Sequence, residues 1–160
     1  KEGVFMSRLR VIAFVSTLSA FAVNAGAAQQ QADVRTEVQK FVHQYIEAIN
    51  RADAAGLMDM YARVPEVTSA DNTDITHGWD AIRNDAASLA QSHYRMTLDT
   101  VDVVPLGSDY ALAVAKANYS FGTPQGSLRV RGVLTLVLQK VGTAWKVLHD
   151  HSSSQNPSGD

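Results

Sequence analysis

The chain has 160 residues, 14 basic against 16 acidic side chains for a formal net charge of −2, and no cysteine. That length holds one domain with a sizeable core plus processing segments. The mixed, near-zero charge without a basic stripe argues against a nucleic-acid partner, and the missing cysteines exclude disulfides, a thiol nucleophile and thiolate metal sites.

Met6-Ser-Arg-Leu-Arg10 forms a short basic region, Val11 to Val23 is apolar, and Ala25-Gly26-Ala27 is small. This is the three-part layout of a secretory signal peptide, with cleavage expected after Ala25 or Ala27. The apolar run is short for a bilayer and carries Ser16, Thr17 and Ser19, so a membrane anchor fits less well. Residues 1–27 are therefore expected to be a leader, with Lys1 to Phe5 an extension upstream of the start methionine. The mature chain is expected to be exported, periplasmic or secreted, and free of the membrane.

Asp33 can cap a helix running to about Asn50, whose apolar positions Val34, Val38, Phe41, Val42, Tyr45 and Ile49 fall on one face. Asp53 can cap a shorter helix, Ala54 to Ala62, ended by Pro65. Glu66 to Thr76 reads as a short strand and loop. After Gly78 a third helix, Trp79 to about Gln91, places Trp79, Ile82, Ala86, Leu89 and Ala90 on one face.

The remainder reads as strand. Tyr94, Met96 and Leu98 alternate, then Val101 and Val103 continue on the opposite parity, which predicts a β-bulge and a curved strand. Tyr110 to Phe121 carries a row of alanines at 111, 113, 115 and 117. Leu128 to Ser152 reads as a long hairpin turning at Gly142. A regular ladder there puts Leu138 opposite Val147, Leu136 opposite His149 and Leu134 opposite His151. His149 and His151 would then face the core, and Asp150 and Thr135 would pair on the outer face. Residues 153–160 read as a polar, disordered tail. The order is α+β: three helices, then a meander of four long antiparallel strands curved around them into a cone.

The segments Tyr45-Ile-Glu-Ala-Ile-Asn-Arg-Ala-Asp53, Leu57 to Tyr61, Gly78-Trp-Asp-Ala-Ile-Arg83 and Trp145-Lys-Val-Leu-His-Asp-His-Ser152 occur in an order that resembles the nuclear transport factor 2-like superfamily, close to its SnoaL-like and ketosteroid isomerase-like branch. The resemblance covers Val34 to Ser152, with the domain taken as 28–152. It implies a cystatin-like α+β barrel of about four to six strands, an apolar conical pocket, and a homodimer formed through the outer sheet face. The family holds isomerases, polyketide cyclases, epoxide hydrolases, dehydratases and oligomerisation modules, so the fold does not settle the function. Tyr45 matches the isomerase tyrosine that donates to the developing enolate oxygen. The general-base aspartate aligns near Ser69, with Asp71 two residues on, and the second oxyanion acid has no clear counterpart. Two of three parts are thus missing or displaced, which argues against steroid isomerisation in the strict sense.

The candidate catalytic residues are Tyr45, His149 and Asp71. His149 is included because imidazole exchanges protons near neutral pH. Tyr61, Trp79, Tyr119, Arg131 and His151 are candidate ligand-binding residues, although aromatics at such spacing are more often plain core and strand arginines more often a solvated edge. His149 and His151 could pair on a metal with Asp71, His43 or His77 as third ligand, but nothing fixes that ligand, so no metal and no cofactor is expected. Two functions remain open. One is binding of a small, largely apolar molecule, with room for cofactor-free acid–base chemistry. The other is a non-catalytic dimerisation, assembly or ligand-carrier domain.

Overall fold

The computed structural model describes residues 15–123 and 126–155, with side chains described from residue 26 onward. Helix α1 spans Val15–Asn50 without a break, so Asp33 is not its cap; the Asp33 carboxylate instead accepts a hydrogen bond from Gln29, one turn back. The Ala- and Gln-rich stretch before it favours helix and continues the turn that a cap would have started. Residues 26–33 are exposed throughout, and Val34 is the first buried residue among those whose side chains are described. From there Val38, Val42, Tyr45 and Ile49 form the buried face. Among the described residues no helix is long and apolar enough to cross a membrane.

Helix α2 spans Ala54–Asp59, shorter than expected, and is capped by Asp53, whose side chain accepts from the Gly56 amide. It stops because the chain turns to pair with the last strand: Ala62 N–H donates to the Val147 carbonyl and Val147 N–H to the Met60 carbonyl. That bridge fixes where Tyr61 points. Strands β1 (Thr68–Asp71) and β2 (Asp74–His77) form a small hairpin, and helix α3 covers Trp79–Gln91. Four long strands follow: β3 (Arg95–Pro105), β4 (Tyr110–Thr123), β5 (Gly126–Val141) and β6 (Ala144–Ser154). The last of these includes Ser153 and Ser154, expected in the tail; residues 156–160 lie outside the described ones.

The six-stranded curved sheet has the order β2-β1-β6-β5-β4-β3, with one parallel pair, β1 beside β6. The helices lie against its concave face. Alanines 111, 113, 115 and 117 are buried there, and their small side chains leave room for α1 to cross closely. Asn50 ties the end of α1 to β3 with two hydrogen bonds to the backbone of Met96. The predicted bulge in β3 falls between Leu98 and Thr100.

A second bulge changes the site. On the β5–β6 ladder Leu138 pairs with Val147, but Val137 then pairs with His149, leaving Leu148 as an extra residue. Beyond it Leu136 faces Asp150 and Leu134 faces Ser152. The regular ladder read from sequence is therefore corrected: Asp150 is the core-facing residue, and His149 and His151 lie on the outer face opposite Val137 and Thr135.

Candidate functional site

Between the helices and the concave sheet face lies a cavity of about 410 Å³. Its walls are mostly apolar and aromatic, supplied by α1, α2, α3 and the inner residues of β3, β4 and β5. At its inner end sits Asp150, only 7 % exposed. Tyr61 donates its hydroxyl to Asp150 Oδ1 at 2.8 Å, and Ser69 donates to Oδ2 at 3.1 Å. Tyr45 lies 2.8 Å from the Tyr61 oxygen. Since the one Tyr61 proton goes to Asp150, Tyr45 is the donor to Tyr61, giving a directional chain Tyr45→Tyr61→Asp150.

Burial pushes the Asp150 carboxyl up to about 6; the bonds from Tyr61 and Ser69 pull it down, the charge of Asp71 raises it and that of His151 lowers it. Desolvation likewise raises both Tyr45 and Tyr61 well above the usual phenol value, so both stay protonated as donors. Tyr119 is pushed up to about 12 by burial, and its hydroxyl has no hydrogen-bond partner among the described residues. Its ring stacks on Tyr94, centroids 6.0 Å apart, and Tyr94 in turn meets Phe121 at 5.1 Å.

Of the residues expected from sequence, Tyr45, Tyr61, Tyr119 and Asp71 line this cavity, Asp71 at its mouth where Ser152 reaches it at 3.4 Å. The others lie elsewhere. His149 sits on the outer face, its Nδ1 2.8 Å from the Thr68 hydroxyl, and desolvation followed by the charge of His151 holds its pKa below the usual imidazole value. His151 shares that face. Arg131 is exposed on the outer face, opposite Asn118, since its position in β5 alternates with the buried leucines. Trp79 turns out of the cavity: its ring lines a second, surface pocket, with the Arg63 and Arg83 guanidiniums 4.3 and 5.3 Å from its centroid, and its Nε1 donates to the Met58 carbonyl at 3.4 Å. Among the described residues no three of His, Cys, Asp and Glu come together as metal ligands do.

Sequence reasoning placed Asp150 on the wrong face and did not single out Ser69 or Tyr94 as pocket groups. A signal for Asp150 was present. Val147 and Leu148 are adjacent apolar residues in an otherwise alternating strand, the same parity break that marks the bulge in β3.

The chain matches the SnoaL-like domain family over residues 38–157. A comparison with curated proteins found no match. Among solved structures it is similar to a nuclear transport factor 2-like superfamily protein from Salmonella enterica, with 19% identity, TM-score 0.70, and 80% of this chain and 95% of that one covered. It is also similar to a candidate dehydratase of the NTF2-like family from Streptomyces avermitilis, with 21% identity, TM-score 0.68, and coverage of 78% and 97%. A candidate calcium/calmodulin-dependent protein kinase II association domain from Xanthomonas campestris shares the fold at 18% identity and TM-score 0.67, with coverage of 77% and 88%. With its curved sheet, enclosing helices and this match across most of its length, the chain belongs to the SnoaL-like domain family.

Proposed function

We propose that this protein binds a small, largely apolar molecule in the cavity and acts on it by acid–base chemistry of the isomerase, cyclase or dehydratase kind. The observation that carries this reading is the buried Asp150 carboxyl, oriented by Tyr61 and Ser69 inside a mostly apolar cavity, where burial pushes it up to about 6. Such a carboxyl takes a proton from a carbon acid or gives one to a leaving hydroxyl at ordinary pH. Tyr45 orients Tyr61 and stabilises negative charge on Asp150 through it. Asp71, at the mouth, is the second carboxylate within reach of a bound molecule. The scheme calls on no cofactor.

Native mass spectrometry of protein purified from its own host, compared with the same sample denatured, is expected to reveal a small-molecule adduct lost on denaturation. Dehydration is the first reaction to assay, because a candidate dehydratase has the same fold. The Asp150→Asn variant is expected to keep the adduct and lose turnover by roughly a hundredfold or more. Unchanged turnover in that variant would remove Asp150 from the chemistry.

A second reading rests on the outer sheet face. Val104 and Val133 are exposed there, 50% and 39%, beside half-buried Leu112, Val114 and Val137. A second copy covering that face would make the homodimer, with or without catalysis in the cavity. Val133→Asp, which puts a charge into that face, is expected to turn the dimer into a folded monomer by sedimentation velocity. A wild-type chain that already sediments as a monomer contradicts this reading.

A further inference from the structure

The polar groups of the cavity have one sign. Asp71 on β1, Asp74 on β2, Asp85 on α3 and Asp150 on β6 all line it, and among the described residues no Lys, Arg or His does. The partners these carboxylates already have are neutral: Asn72 and Ser152 for Asp71, Thr76 for Asp85, Tyr61 and Ser69 for Asp150. The ion pairs of the described residues, Arg51–Glu47, Arg83–Asp80 and Lys140–Glu37, leave all four out. The one cationic group that bears on Asp150 is His151, across the sheet on its outer face.

Carboxylates gathered from four elements repel one another and by themselves specify no ligand. A second, independent feature does. The Tyr119 side chain lines the same cavity, is 2 % exposed, and its hydroxyl lacks a partner. A buried donor in that state calls for an acceptor inside the cavity, which a bound molecule can bring. Tyr94, Tyr119 and Phe121 form an aromatic wall there, the kind of surface that stacks on an apolar ring and also attracts a cation.

Taking the cavity as a small-molecule site, we propose that its ligand is an amine: a cationic nitrogen held among Asp71, Asp74 and Asp85 at the mouth, on an aromatic or aliphatic body that carries a hydrogen-bond acceptor for Tyr119. The charge supplies what the site lacks. An anionic ligand would meet four carboxylates and no compensating cation, and a neutral one would leave the mouth unneutralised.

The test is titration calorimetry of the full chain with three probes that share a phenyl ring and an ether oxygen and differ in charge: 3-phenoxypropylamine, 3-phenoxypropan-1-ol and 3-phenoxypropanoate. The amine is expected to bind about tenfold tighter than the alcohol, with the carboxylate weakest. The double variant Asp71→Asn, Asp85→Asn, isosteric and at exposed positions, is expected to bring the amine down to the alcohol. Tyr119→Phe is expected to weaken all three probes alike. Equal affinities, or a carboxylate that binds tightest, overturn the amine assignment while leaving the cavity a small-molecule site. An amine preference that survives the double variant overturns the placement of the charge, and an unchanged Tyr119→Phe variant overturns the acceptor. If none of the three binds at about 1 mM, the amine assignment falls, and the small-molecule reading is decided separately by the native mass spectrometry adduct.

Discussion

Asp150 is a carboxyl kept from water, and its position on the pH scale is a statement about stability as well as chemistry. Its folded value of about 6 lies above the ordinary 3.8, so the folded chain binds a proton that the unfolded chain has released. Stability is therefore expected to fall as pH rises through that window and to level off above it, by about 3 kcal/mol in all. Asp150→Asn cannot titrate. Urea unfolding of the two chains is expected to show wild type losing ground to the variant between about pH 4 and pH 7. A difference that stays constant across that range would mean that Asp150 titrates normally. Tyr61→Phe is the complementary change. It removes the donor that does most to hold the Asp150 value down, so carboxyl titration by NMR is expected to show that value moving further up. It also orphans the Tyr45 hydroxyl, with a loss of about 1–3 kcal/mol in the same unfolding experiment.

The elements explain why these side chains meet. Tyr45 needs only the periodicity of α1, but Tyr61 is set by the backbone bridge between the end of α2 and Val147, and Asp150 by the bulge at Leu148. Gly132 in β5 is a third such device. A Cβ at that position would run into the Ser153 carbonyl on β6 and the ring of Tyr119. The bare backbone lets the Tyr119 ring, part of the cavity wall, come close to β5. Gly132→Ala is expected to destabilise the domain by about 1–3 kcal/mol and to change the tyrosine signal in near-ultraviolet circular dichroism, because Tyr119 must move. A variant with wild-type stability and spectrum would mean that the strands have room to shift. The fold was legible at this scale: the amphipathic face from Val34 to Ile49, the Asp53 cap, the alanine row and the β3 parity switch each have a local cause. The site was legible only in part. The facing of β6 depends on one extra residue in a ladder, and a slip of one residue exchanges the two faces of a strand.

At the scale of the whole molecule, residues 26–33 of α1 are exposed, and Val34 is the first buried residue among those whose side chains are described. Removal of residues 1–27, the expected leader, is therefore expected to leave the melting temperature within experimental error of the full chain, read by circular dichroism. A clear drop would show that the early turns of α1 support the core. The outer sheet face and the inner cavity lie on opposite sides of one sheet, so a second copy over the valines and a ligand in the cavity would not compete for the same residues.

What the sequence by itself determined was the fold class: hydrophobic period, caps, turn glycines and small-residue rows act over a few residues, and their order specifies helices laid against a curved sheet. What only the tertiary structure decided was the content of the cavity. Placing Asp150 inward and both histidines outward, turning Trp79 away, and joining Asp71, Asp74 and Asp85 with Asp150 at one site all depend on strand register and on contacts between residues up to 89 positions apart. Such contacts reflect the packing of the whole chain, and no local pattern encodes them.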